Sequence, residues 1–170
     1  DKLVPAFKTA TYWSNKEHWD WAVNPNEREK ASFLKENILP IEESGCLQFV
    51  DVSGGVNGKL GETSFAETIS VRFVHGHTAA MMLPQIKYKG RTVVFMADLL
   101  PSQGHIPLPY VMAYDMFPQT TLNEKKSFLK EALEGDYILF FEHDPVHECC
   151  TLQQTERGIR PKDFFKLEEI

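Results

Sequence analysis

The stretch from Phe73 to Asp98 constrains this chain most, because it reads in fixed order as a strand, a polar tip, a hairpin and an acid. Thr68-Ile69-Ser70-Val71-Arg72-Phe73-Val74 alternates polar and apolar residues with the period of a half-buried strand. It stops at His75-Gly76-His77-Thr78, a polar tip containing glycine. Two further apolar runs, Met81 to Tyr88 and Thr92 to Ala97, are joined by Lys89-Gly90-Arg91, a connection of hairpin length. Asp98 follows at once. An acid placed directly after nearly continuous apolar residues marks a strand end, from which a rigid sheet can aim a carboxylate into a cleft.

The same pattern recurs downstream. Tyr137-Ile138-Leu139-Phe140-Phe141 is a continuous apolar strand that emits Glu142-His143-Asp144-Pro145. Three strands therefore end on His77, Asp98 and His143, spaced 21 and 45 residues apart. A lone histidine at a strand end is ordinarily structural. Three such termini in one chain bring together imidazole and carboxylate, the ligand set of zinc, manganese or iron. Between Asp98 and the next helix, Leu99 to Pro118 is irregular and carries Pro101, Pro107, Pro109 and His105. Long irregular segments in compact domains are often functional, which makes His105 a candidate substrate contact. A hydrogen bond that pins the loop is an equally good reading of His105.

The remaining elements frame this pattern. Ser14, with Glu17 three residues on, has capping-box spacing for an aromatic helix over Asn15 to Val23. Trp13, Trp19 and Trp21 are expected to pack rather than to form a substrate wall. A second helix is expected over Glu27 to Ile38, ended by Pro40, and a strand over Cys46 to Asp51. Val52 to Ser64 reads as a glycine-rich loop; without a closing Lys-Ser/Thr it is no phosphate cradle. Thr121 to Leu133 is the clearest helix, with Leu122, Phe128, Leu129, Ala132 and Leu133 on one side, and Gly135 stops it. Thr151 to Glu156 is expected as a last, edge strand, with Phe164, Phe165 and Leu167 packing the tail. No repeat or linker calls for a second domain, so residues 1–170 are expected to form a single, incomplete domain.

Composition excludes some functions. A net charge of −6 and a pI near 5.5 leave no basic face for general nucleic-acid binding and favour a small-molecule substrate. Cys149 and Cys150 are adjacent and Cys46 is remote, which fits neither a disulfide framework nor a cysteine zinc site. A reducing, cytoplasmic setting is the expectation, and no apolar run approaches the length of a membrane span. The opening Asp1-Lys2-Leu3-Val4-Pro5 has no signal-peptide profile and reads as an internal beginning.

On these motifs the chain resembles the C-terminal part of a metallo-β-lactamase-fold hydrolase. Gly76-His77-Thr78 is similar to that family's Gly-His-Thr ligand motif, Ala97-Asp98-Leu99 to its bridging-aspartate motif, and Phe141-Glu142-His143-Asp144 to its last histidine after a buried strand. Their order and spacing agree with the lactonase-like and methyl-parathion-hydrolase-like branches. The resemblance implies an α+β fold, largely the C-terminal half of an αββα sandwich with a mixed sheet and flanking helices. It also implies two divalent metal ions, zinc by default, with His77 completing one site, His143 the other, and Asp98 bridging both. A metal-bound hydroxide would then attack an ester, lactone, thioester or phosphoester.

The departures carry equal weight. The family's His-x-His-x-Asp-His signature, the source of four ligands, is absent, and His18 has no partner at that spacing. Three ligands spread over two half-sites leave each ion too few protein donors for tight binding. The expectation is a chain inactive and weakly metal-binding by itself, with incomplete metal or none, whose parent is a binuclear hydrolase. The missing N-terminal half, or a second copy of this chain in a homodimer, is the expected partner. His75 stands where relatives carry proline, but the Gly-His-Thr register favours His77. Pro101 lies where some lactonases place a substrate-assisting tyrosine; Tyr110 and Tyr114 are more readily explained by packing. The alternative function is a non-catalytic binding or assembly module that keeps the sheet and has lost the metal centre.

Overall fold

A computed structural model describes residues 3–55 and 58–170. Two compact units emerge, Asp1–Val52 and Ser53–Ile170. The expected glycine-rich segment includes Val56 and Asn57, which lie outside the described residues.

In the first unit, strand β1 (Tyr12–Ser14) runs parallel to β2 (Leu47–Phe49), and helices α1 (Lys16–Val23) and α2 (Lys35–Glu43) lie between them in sequence. Asn15, not Ser14, caps α1: its Oδ1 accepts from the His18 N–H at 2.8 Å while Ser14 is occupied in β1. Asparagine is as good a cap as serine, and the strand decides between them. Trp19 is buried at the α1 face, as expected of packing, whereas Trp13 is exposed. The indole Nε1–H of Trp21 donates to Glu29 Oε2 at 2.7 Å. The second helix is displaced from its expected place. Residues 27–33 form turns, α2 starts at Lys35, and Pro40 lies inside it, with the Ser44 N–H donating to the Pro40 carbonyl at 3.1 Å. Proline costs a helix only the hydrogen bond and space on its N-terminal side, so the turn beyond it still closes.

The second unit is a seven-stranded mixed sheet in sequence order: β3 (Gly61–Ala66), β4 (Ile69–Val74), β5 (Met81–Tyr88), β6 (Arg91–Phe95), β7 (Ile138–Phe140), β8 (Cys149–Thr155) and β9 (Gly158–Phe165). All neighbours are antiparallel except β6 and β7. The β5–β6 hairpin turns through Lys89 and Gly90, both at positive φ, the geometry that matches strand twist. Two expectations need correcting. Gly61–Ala66 is a strand rather than loop, because its alternation pairs with β4. The strand after Cys149 is internal, because the tail expected only to pack forms β9 and takes the edge.

Helix α3 (Pro118–Glu134) enters with proline at its first position and packs one face of this sheet. There Phe128, Leu129 and Ala132 meet Val74, Leu83, Val94 and Leu139, all essentially removed from water. On the opposite face Val93, Ile138 and Cys149 form a smaller cluster. Beside it Pro84, Ile86, Tyr88, Phe95 and Phe140 line an open apolar groove of about 740 Å3. Period-two alternation produces both faces: Leu83 is fully buried and Ile86, three residues on, is exposed.

Candidate metal centre

Strand direction places the site. β4 and β6 are both antiparallel to β5, and β7 is parallel to β6, so β4, β6 and β7 all point the same way. Their C-terminal ends therefore share one edge of the sheet, and His77, Asp98 and His143 leave from those ends. The structure brings the three together. Asp98 Oδ2 lies 3.3 Å from His77 Nε2 and its Oδ1 lies 3.5 Å from His143 Nε2. One carboxylate is thus addressed by two imidazoles, one on each oxygen.

Each side chain is aimed by local backbone. The Met96 N–H donates to the Phe140 carbonyl at 2.9 Å, extending the parallel pairing, and then Ala97 takes φ +40°. Left-handed backbone at a residue with a Cβ is costly and recurs at functional turns. Here it swings Asp98 out of the strand line. The His143 N–H is held by the Pro101 carbonyl at 2.9 Å. At the other terminus, Glu124 on α3 accepts the His75 and Gly76 N–H groups at 2.7 and 3.0 Å. A Cβ on Gly76 would sit 2.3 Å from the backbone nitrogen of Thr121, so only glycine lets the loop reach the helix. Burial pushes the Glu124 carboxyl up, against those two N–H donors.

Sequence reasoning missed Asp115. Its side chain is 1% exposed and its Oδ1 lies 3.0 Å from His77 Nδ1, while Oδ2 accepts the Met112 N–H at 3.2 Å. An acid within an irregular run carried no periodic signal; only the fold places it behind the histidine. His77 is thereby flanked by carboxylates on both ring nitrogens. A ring that donates its Nδ1–H to Asp115 directs Nε2 toward Asp98.

The other candidates separate. His105 Nδ1 lies 2.9 Å from Ser102 Oγ, the loop-pinning contact, and burial lowers its pKa, with Lys125 adding to the effect and Asp115 and Asp98 opposing it. His75 Nδ1 receives the Ala80 N–H at 3.3 Å within its own loop. Asp144 binds backbone: its carboxylate accepts from the N–H groups of Gln103, Val146 and His147 at 3.0, 3.0 and 2.8 Å. Burial alone would raise its pKa, but these donors and His147 together hold it below the usual carboxylate value. Glu142 Oε1 is 3.9 Å from His143 Nε2. Tyr110 and Tyr114 are exposed rather than packed. Among the described residues no group of three or more His, Cys, Asp or Glu side chains is placed so that it could hold a metal ion. Two imidazoles and one carboxylate, the donor types that zinc takes, meet at this edge as two His–Asp pairs that share Asp98.

No protein-family model matches the sequence, and no curated protein is significantly similar to it. Solved structures do match. A probable metal-dependent hydrolase from Staphylococcus aureus aligns with TM-score 0.78 and 20% identity over 96% of this chain and 55% of its own. Hydrolase AbOPH of the beta lactamase superfamily aligns with TM-score 0.75 and 16% identity over 98% of this chain and 59% of its own. AidC, a dizinc quorum-quenching lactonase, aligns with TM-score 0.71 and 18% identity over 96% of this chain and 60% of its own. Among the described residues no helix is long and apolar enough to cross a membrane. The chain spans somewhat more than half the length of these structures and has their metallo-β-lactamase-like α+β fold, with a seven-stranded mixed sheet.

Proposed function

We propose that this chain supplies part of the catalytic centre of a metal-dependent hydrolase, in which His77, Asp98 and His143 would hold divalent cations, Asp98 serving both histidines. The observation that carries the reading is the single Asp98 carboxylate addressed on its two oxygens by two imidazoles at one sheet edge. Zinc suits this donor set. Divalent cations at such a centre supply Lewis acidity toward an ester, lactone, thioester or phosphoester and a nucleophile from water at neutral pH.

The chain's own residues perform the positioning. Asp98 would offer negative charge to cations held beside either oxygen. Asp115 holds the His77 ring in one tautomer and orientation, so that Nε2 faces Asp98. Asp144 ties the His143 loop to Gln103, joining the His143 segment to the segment that carries His105. His105, on that segment, is held through Nδ1 by Ser102, which leaves only its Nε2 for the substrate contact the sequence suggested. The low identity to the matched structures leaves the substrate to experiment, and a panel of lactone, thioester, aryl ester and phosphotriester substrates tests it.

Three ligands over two half-sites make weak sites. We propose that the remaining ligands come from polypeptide beyond these 170 residues, and that its second layer covers the apolar groove lined by Pro84, Ile86, Tyr88, Phe95 and Phe140. The matched structures carry 41–45% of their length outside the part this chain covers, which supports that reading. A second copy of the chain on the same groove is the competing outcome, and sedimentation velocity at several concentrations separates the two. Metal analysis after chelation, reloading with zinc and dialysis tests the half-site reading: less than one equivalent is expected, and two retained equivalents would contradict it. A binding module without a metal role is the poorer reading, because it leaves the convergence on Asp98 without a purpose.

A further inference from the structure

We propose a second binding site, for a short-chain aliphatic carboxylate, in the cleft between α3, the β8–β9 hairpin and the segment that follows His105. The cleft has a volume of about 310 Å3. Its floor is apolar: Ile106 and Leu129 are buried there, with Leu108 and Ile159 beside them. Its rim is cationic, with Lys126 from α3 and Arg157 and Arg160 from the hairpin. No acidic residue lines it, in a chain where 24 Asp and Glu outnumber 18 Lys and Arg.

The three cations line one concavity. Among the described residues none of them is in an ion pair, whereas Lys130, one turn further along α3, pairs with Glu134, and Arg91 pairs with Asp136. Three like charges around one concavity repel each other and concentrate a positive field in it, which an entering anion relieves. Arg160 Nη1 donates to the Ile159 carbonyl at 2.7 Å, which fixes the guanidinium and leaves further N–H groups of its planar fork for a ligand. The apolar floor then selects an anion that carries an aliphatic tail, and the small volume keeps that tail short. The site needs none of the residues assigned to the metal centre, so it stands whether or not that assignment does.

The test is titration of the full 15N-labelled chain, without metal, with hexanoate, hexanamide and inorganic phosphate, followed by amide chemical shifts. Saturable shifts centred on Leu129, Gly158 and Ile159 are expected with hexanoate, with phosphate at least tenfold weaker and hexanamide giving no saturation. The double substitution Arg157→Gln with Arg160→Gln is expected to weaken hexanoate at least tenfold. Equal binding of hexanamide, equal binding of phosphate, an unaffected double variant, or shifts centred on Ile86 and Phe95 would each overturn the proposal. The hexanamide comparison uses the unaltered chain and decides the matter even if the double variant folds poorly.

Discussion

At the scale of single residues, the account turns on how side chains beside the centre are fixed. Changing Asp115 to Asn removes the anion behind His77 while keeping its size. In the protein that carries the whole centre, zinc affinity is expected to fall about 10- to 100-fold, as for other outer partners of ligating histidines. Competition with a chromophoric chelator measures it, and an unchanged affinity would remove Asp115 from the assignment. Gly76→Ala forces a Cβ onto Thr121 and is expected to cost about 1–3 kcal/mol in urea unfolding. The cysteines offer a separate check. Burial pushes the Cys149 thiol up to about 11, with Glu148 adding to it, and the Cys150 thiol up to about 12, helped by Cys149 and Asp144. In native protein at pH 8 iodoacetamide is expected to modify Cys46 first, with the buried pair reacting only on unfolding.

At the scale of elements, α3 holds the sheet and the irregular segment in register through buried charge. Arg72 on β4 is 2% exposed, and its guanidinium reaches Glu131 at 2.6 and 3.1 Å, Gln85 at 2.8 Å and Glu62 at 3.1 Å. Removing one partner strands the other, so Arg72→Met is expected to cost about 3–5 kcal/mol, and adding Glu131→Leu to restore much of that loss. Chemical unfolding of the two variants checks the order. Lys125 does a similar task for the segment after Asp98, donating to the carbonyls of Pro107 and Leu108 at 3.3 Å each and to that of Tyr110. Burial lowers its pKa from 10.5 to about 8, against the pull of Asp115. Between those values the unfolded chain binds the proton that the folded chain has lost, so this group makes stability rise with pH across the window. Below pH 8 both states are protonated and the cost of burying the charge is complete. Lys125→Met is expected to flatten the rise between pH 8 and 10; equal slopes in the two proteins would contradict the assignment.

At the scale of the whole molecule, the convergence of His77, Asp98 and His143 and the strands that bring them together were legible in the sequence because apolar runs stopped abruptly just before each of them. The β4–β7 order, the hairpin turn at Lys89-Gly90 and α3 follow the same local signals. What escaped depends on long-range placement. Asp115 and the Arg72–Glu131 pair are joined across 38 and 59 residues, and neither acid differs in the sequence from a solvated one. Strand β3 and the edge strand β9 were hidden by glycine and by charge, which mark loops locally but are tolerated where a strand pairs on one side. The α2 boundary slipped because Pro40 is a stop signal that the helix accommodates. The central claim is that His77, Asp98 and His143 share a metal centre that this chain does not complete. The most direct measurement is zinc titration followed by the imidazole NMR signals of all six histidines. His77 and His143 are expected to respond together, weakly and in fast exchange, and Asp98→Ala to abolish both responses. Unresponsive His77 and His143, or responses that survive Asp98→Ala unchanged, would contradict it.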